Sequence, residues 1–146
     1  MIDALAFGER IVGVRYELRS AAYAVIRDSA GKVAVVRSGE SYFLVGGGCH
    51  SSETPEQTLA REAVEECAQE IAIDRQIGAA IQYFEADGTH FEMQATFFEA
   101  HLTADHGGES EHELVWLSPD AGQGAMYHEC HAWAITQCVA QPARRS

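Results

Sequence analysis

The sequence predicts a single domain, residues 1–146, of α/β or α+β layout in which helices cover a mixed β-sheet. Three observations carry this. Short β-branched runs populate both halves of the chain, one strongly signalled amphipathic helix lies between them, and a second helical pattern closes the chain. At 146 residues with 47% apolar content, the chain can bury one core without disulfides or a structural metal.

Residues 12–19 alternate apolar with polar or glycine positions, the period of a half-buried first strand. Residues 21–26 and 33–36 are apolar runs separated by Asp28-Ser29-Ala30-Gly31, so they read as a hairpin. The run 42–45 leads into Gly46-Gly47-Gly48, suited to a backbone that approaches a ligand or metal closely. A helix follows: Thr54 is a good N-cap, Pro55 fits the first helical position, and Gln57 completes a capping box. Residues 77–85 and 91–102 read as strands joined through Asp87-Gly88. A polar loop with Gly107-Gly108 spans about residues 103–113, followed by a short strand at 114–117. Residues 125–140 are expected to be helical, with Met126, Ala132, Trp133, Ile135 and Val139 available to the core, and residues 142–146 to be frayed.

A formal net charge of −12 excludes duplex nucleic acid as the expected partner, because such binding rests on many Lys and Arg contacts to phosphate. Six of the ten basic residues (Arg10, Arg15, Arg19, Arg27, Lys32 and Arg37) precede residue 40, whereas carboxylates crowd residues 53–70. Either a compact phosphorylated ligand sits between the two zones, or these are solvated surface charges. No apolar run approaches the roughly 18 residues of a membrane span, and residues 1–4 lack the layout of a signal peptide, so the expected compartment is the cytoplasm. Cys49, Cys67, Cys130 and Cys138 form no C-x-x-C pair and are expected to be free thiols.

On the central helix, Leu59, Ala60, Ala63, Val64 and Cys67 fall on one side, and Glu62, Glu65 and Glu66 on the other. Glutamates three and four residues apart repel one another unless a counter-charge intervenes. Arg61 supplies one, and a divalent cation could supply the rest, since clustered carboxylates are the hard oxygen ligands that Mg²⁺ or Mn²⁺ prefers. An acidic, solvated helix face is the alternative. The setting decides between them: Glu53 lies eight residues before Arg61, and Gly47 six before Glu53, within GGCHSSETPEQTLAREAVEECA.

This stretch resembles the Nudix box, G-x5-E-x7-R-E-U-x-E-E-x-G-U with U a bulky apolar residue. Gly47, Glu53, Arg61, Glu62, Glu65 and Glu66 all match. The resemblance implies a Nudix-type α/β/α sandwich with a mixed β-sheet, a hydrolase that cleaves a diphosphate linkage in a nucleoside triphosphate, including an oxidised purine one, or in a nucleoside diphosphate derivative. It implies Mg²⁺ or Mn²⁺ as cofactor, held by Glu62, Glu65 and Glu66 with the Gly47 carbonyl. Glu53 and Arg61 would hold the loop and orient the carboxylates. The general base varies in the family, so Glu62 and Glu111 are both candidates, with Glu109 and Glu113 as near rivals. The implied partner is a small nucleotide-like molecule, neither duplex nucleic acid nor membrane; oligomeric state is left open, a homodimer included.

The chain departs from the pattern at Ala68, where the box has glycine, and at Gln69, where it has an apolar residue. His50 and Ser52 stand where relatives commonly carry Glu and Gly. These departures motivate a second reading, a Nudix-fold regulatory module that binds a nucleotide without cleaving it. His128-Glu129-Cys130-His131 lacks the H-E-x-x-H metal spacing, and histidines beside Tyr127 could instead line a substrate cleft. Tyr42, Phe43, Tyr83 and Phe84 are candidates to stack on a base or to fill the core.

Overall fold

A computed structural model describes residues 5–140; the expectations for residues 1–4 and 142–146 lie outside the described residues. Strands β1 (Ala6–Phe7), β2 (Glu17–Ile26), β3 (Val33–Ser38) and β4 (Ser41–Gly48) precede helix α1 (Pro55–Cys67). Then come β5 (Gln69–Ala86), β6 (Thr89–Asp105), β7 (Glu113–Leu117), α2 (Pro119–Ala125) and α3 (Glu129–Ala140). The seven strands form one mixed sheet in the order β1-β5-β6-β2-β4-β3-β7. Strand β2 runs parallel to β6 and antiparallel to β4. No helix among the described residues is long and apolar enough to cross a membrane.

Alternation along the strands sends side chains to two cores, one on each face of the sheet. Ala21, Tyr23 and Val25 of β2 join Met93 and Phe97 of β6 beneath Cys130, Ala134, Ile135 and Cys138 of α3. Ala22, Ala24 and Ile26 face the other way and pack with Leu59, Ala63 and Cys67 of α1. The architecture is thus the expected α/β/α sandwich, with α1 alone on one face.

Several expected elements are corrected. Residues 12–16 are not a strand: Val12 is 93% exposed, and the strand begins at Glu17 and runs on without a break through the apolar run 21–26. Residues 21–26 and 33–36 share a tight connection, with Asp28 Oδ1 accepting from the Ala30 and Lys32 N–H groups. Beyond one antiparallel bridge between Arg27 and Val33 at the turn they do not pair as a hairpin, however, because β4 lies between them. The C-terminal half of β4 bonds to β2 and its N-terminal half to β3. The Asp87-Gly88 turn forms as expected, with Asp87 at φ 52°, but its strands are longer than the expected 77–85 and 91–102. The expected helix 125–140 is broken at residues 126–128, where Met126 bridges to Tyr42. Ser118-Pro119 instead starts a short helix by the same capping logic as Thr54-Pro55. The packed face of α3 is Cys130, Ala134, Ile135 and Cys138, leaving Val139 44% exposed. All four cysteines are free thiols, and only Cys49 is not buried.

The α1 capping box is complete: the Thr54 hydroxyl accepts from the Gln57 N–H and the Gln57 side chain accepts from the Thr54 N–H. At the other end, Ala68 takes the left-handed conformation, φ 54° and ψ 40°. A Cβ disfavours that region by about 1–2 kcal/mol, and this is the position at which the box has glycine. Ala68→Gly is therefore expected to stabilise the fold by up to about 1 kcal/mol, part of the gain being offset by the freer unfolded chain. Urea unfolding measures it; an unchanged or lowered midpoint would show that the Ala68 methyl packs well enough to outweigh the strain.

Candidate active site

The site is built where the end of β4 passes beneath α1. Gly46 lies at φ 145°, and a Cβ there would collide with the Ala22 carbonyl and the Tyr23 backbone. Its N–H donates to Glu66 Oε1 at 2.9 Å. A Cβ on Gly47 would collide with Glu62 Oε2. Two consecutive glycines thus let two glutamates of one helix rest directly on strand backbone. The obstacles differ in kind, rigid backbone at Gly46 and a movable side chain at Gly47. Gly46→Ala is expected to cost about 3 kcal/mol or more of stability. Gly47→Ala is expected to fold near-normally while displacing Glu62. Chemical unfolding of the two variants checks this, and similar losses would refute the distinction.

Arg61 ties the loop to the helix. Its Nε and Nη2 donate to the two Glu53 oxygens at 2.7 and 3.0 Å, a bidentate fork. Nη2 also donates to the Gly48 carbonyl at 3.0 Å, and Nη1 to Glu62 Oε1 at 3.0 Å and Glu65 Oε2 at 3.1 Å. Glu53 Oε1 further accepts from the His50 N–H and the Thr58 hydroxyl. The loop carrying His50 and Ser52 in place of the common residues is therefore closed by the same Glu53–Arg61 fork. This bonding, Arg61 foremost, holds Glu53 at about 2, well below the usual carboxylate range.

Glu62 and Glu66 have the opposite electrostatics. Burial, reinforced by Glu65 and only partly offset by Arg61, pushes Glu62 up to about 7. Burial pushes Glu66 up to about 8 against the Gly46 hydrogen bond, with Glu62, Glu111 and Glu65 adding repulsion. The helical wheel places Glu66 opposite the packed face, but at 9% exposure it lies at the edge of that face. Glu111 is carried to the helix end by backbone bonds: its N–H donates to the Glu65 carbonyl and that of His112 to the Glu66 carbonyl, both at 3.0 Å. These bonds satisfy carbonyls that a helix end leaves without partners. The Glu111 side chain is exposed, as are Glu109 and Glu113.

Glu62 and Glu66 form one wall of a cleft of about 350 Å³. Phe43, Phe84, Tyr127 and His128 line it, with Tyr23 and Met93 deeper and Arg19 at its mouth. Phe84 and His128 meet edge-on at 4.6 Å, Phe43 and His128 at 5.6 Å. Burial, then Arg19, lowers His128 to about 4, so its imidazole is neutral. Of the four aromatics named from sequence, Phe43 and Phe84 line the cleft, Tyr83 packs on Tyr16, and Tyr42 packs against the α3-side core. His131 is core: its Nδ1 accepts from the Leu44 N–H at 3.2 Å. Sequence reading named Arg19 only as one of six basic residues before residue 40 and did not single out Tyr23, Met93 or His112; strand pairing brings Arg19, Tyr23 and Met93 to the cleft, and the backbone bond to the Glu66 carbonyl brings His112.

Glu62, Glu65, Glu66 and the strand backbone beside them offer only oxygen donors, the set a divalent cation such as Mg²⁺ takes. Among the described residues, no three carboxylate, imidazole or thiol groups form a ready-made metal cage. Arg61 engages Glu62 and Glu65, while Glu66 turns to the Gly46 N–H. A cation at Glu62 and Glu66 would offset the burial, and the carboxylate repulsion added to it, that raise both groups, so the donor chemistry fits.

Residues 17–134 match the family model described as the NUDIX domain. The chain belongs to the Nudix family of hydrolases. Among solved structures, a MutT protein from Methanosarcina mazei Go1 superposes with a TM-score of 0.67 at 21% identity, covering 86% of this chain and 95% of that one. An ADP-ribose pyrophosphatase from Streptococcus suis 89-1591 superposes with a TM-score of 0.63 at 12% identity, covering 87% and 96%. A UDP-X diphosphatase gives 0.62 at 15%, covering 86% of this chain and 64% of that one. No curated protein sequence matches. At these identities the superpositions establish that this Nudix domain shares their fold.

Proposed function

We propose that this Nudix domain hydrolyses a diphosphate linkage in a nucleoside triphosphate or nucleoside diphosphate derivative, with Mg²⁺ or Mn²⁺ held by Glu62, Glu65, Glu66 and the Gly47 carbonyl. The observation that carries the reading is the placement of Glu62 and Glu66 in a cleft that Phe43, Phe84 and Tyr127 also line. A flat base stacks against Phe43 and Phe84, which places its phosphates toward Arg19 and the carboxylates. The names of two structural neighbours, an ADP-ribose pyrophosphatase and a UDP-X diphosphatase, support the substrate class.

A divalent cation held there neutralises diphosphate charge and acidifies the attacking water. The chain does the rest. Arg61 and Glu53 fix the loop and keep Glu62 and Glu65 aligned, acting as positioning residues. Arg19 offers a guanidinium to a phosphate oxygen at the cleft mouth. Glu62 or Glu111 accepts the proton of the attacking water, and Glu62→Gln compared with Glu111→Gln tells them apart. Glu111→Gln lowering kcat by about 10²–10⁴-fold with the cation dependence unchanged assigns the base to Glu111, and an unchanged kcat in Glu111→Gln leaves the role to Glu62.

The test is release of monophosphate or phosphate from nucleoside triphosphates, oxidised purine nucleotides, ADP-ribose and UDP-sugars, with Mg²⁺, with Mn²⁺ and with chelator. Cation-dependent turnover that Glu62→Gln greatly reduces is the expected result. Tight nucleotide binding with no turnover of any member would move the assignment to a regulatory module.

A further inference from the structure

Among the described residues, α1 buries two polar side chains, Glu66 and Thr58. Glu66 is explained by its seat on Gly46. Thr58 occupies none of the fixed positions of the box, yet it is 0% exposed. Helical spacing sets it on the same stripe as Arg61, Glu62 and Glu65, which lie three, four and seven residues further on. A buried hydroxyl therefore opens the row that the charged groups continue.

That hydroxyl has two acceptors within reach, Glu53 Oε1 at 3.0 Å and the Thr54 carbonyl at 3.2 Å. One hydrogen serves both. The Thr54 carbonyl already accepts the Thr58 N–H at 3.0 Å, the regular helix bond. Glu53 is nearer and charged, and bonds to an ionised acceptor are the stronger kind. The hydroxyl is thus directed at the loop, whereas a threonine that only bonded back to its own helix would gain little there.

This bond gives Glu53 an attachment that its other partners do not. The Arg61 fork fixes the two side chains to each other, and the His50 N–H belongs to the same loop as Glu53. Arg61 is long and 22% exposed, so the fork alone would let the pair swing as a unit. Thr58 is short, stiff at χ1 and buried, and it pins the carboxylate to the start of α1. With Glu53 pinned, Arg61 Nη1 stays on Glu62 and Glu65.

We propose that Thr58 is a positioning residue for the cation seat: it holds Glu53, and through Glu53 and Arg61 it keeps Glu62 and Glu65 arranged for a divalent ion. This rests on the reading of those glutamates as cation ligands, and it adds to that machinery a residue outside the box pattern that touches neither cation nor substrate.

The experiment measures Mn²⁺ binding to the full chain, by calorimetry and by the electron paramagnetic resonance of free Mn²⁺. Thr58→Val, which keeps the shape and removes the hydroxyl, is expected to weaken binding by about tenfold, the lower end of the range for groups that orient metal ligands. Thr58→Ser keeps the hydroxyl and is expected to stay within about twofold of wild type. In a Glu53→Ala background, Thr58→Val should weaken binding by less than about a further twofold, because residues that act through one another are not additive. Thr58→Ala carries the same comparisons if valine beside the carboxylate unfolds the chain. Wild-type affinity in the variants lacking the hydroxyl overturns the proposal and leaves the hydrolase reading intact. Serine as weak as valine overturns it too, since the hydroxyl is then not what matters, and so does full additivity with Glu53→Ala, which would make the effect one of packing. A wild-type chain that takes up no Mn²⁺ overturns both the proposal and the hydrolase reading.

Discussion

Glu66→Gln is expected to lower metal-dependent hydrolysis by about 10²–10⁴-fold, the range for losing a group that acts directly at the reacting centre, and at the same time to stabilise the chelator-treated protein at alkaline pH. The amide oxygen can still accept the Gly46 N–H, so the change removes charge while leaving the hydrogen bond available. Glu66 is raised from an ordinary 4.5 to about 8. Between those values the folded state binds more protons than the unfolded chain, so stability falls as pH rises. The slope from this one group is at most about 1.4 kcal/mol per pH unit. Urea unfolding in chelator should therefore show wild type losing stability relative to Glu66→Gln from about pH 5 to pH 8, and saturating Mg²⁺ should flatten the difference. Parallel pH profiles in chelator would mean that the carboxylate is not held at a cost, and the argument for a cation seat would lose its energetic basis. A residue whose replacement improves the fold and removes the activity is one retained for chemistry.

How far this site was readable before folding depends on the range of the interactions. The loop and helix from Gly47 to Glu66 are governed by contacts within about one loop and four turns: Thr54 with Gln57, Glu53 with Arg61, and glutamates at helical spacing. Local pattern sufficed there. The Asp87-Gly88 turn was legible for the same reason. The start of β2 was not, because alternation in residues 12–16 has no partner strand to use it. Nor was the separation of β2 from β3, since a tight connection looks alike whether a third strand enters between its arms or not. The break at residues 126–128 was hidden because that stretch carries helix-compatible residues; the Tyr127 N–H bonds to the Tyr42 carbonyl, a partner more than eighty positions away. The cleft draws on β2, β4, β5, β6 and the entry to α3, so Arg19 beside Glu62 is a product of register, and no spacing in the chain announces it.

Glu99→Ala is expected to have the largest effect on stability, about 3–5 kcal/mol, the usual result of deleting one member of a buried charge cluster. Glu99, 7% exposed on β6, accepts from Arg27 Nη2 at 2.5 Å, from Arg75 Nε at 2.9 Å and from the Cys138 thiol at 3.1 Å. Alanine would remove the carboxylate that both guanidinium groups share and leave their charge half-buried. Burial raises the Glu99 pKa, but the hydrogen bonds from Cys138, Arg27 and Arg75 outweigh it, so the net shift is downward. The sign is opposite to that of Glu66. Its stabilisation is present above the unfolded-state pKa and is lost as pH falls through the lower folded-state value, so wild type and Glu99→Ala should converge in acid. Urea midpoints at neutral and acid pH measure both effects. A loss below about 1 kcal/mol at neutral pH would class the cluster with solvated ion pairs. Two buried glutamates thus respond to pH in opposite directions: Glu99, with arginines on it, holds the sheet together when charged, whereas Glu66, with only other carboxylates near, stabilises the fold when protonated. Hydrolysis by the folded fraction of Glu99→Ala should therefore match wild type, because the cluster joins the residue after β2 to β5, β6 and α3 through residues that do not line the cleft.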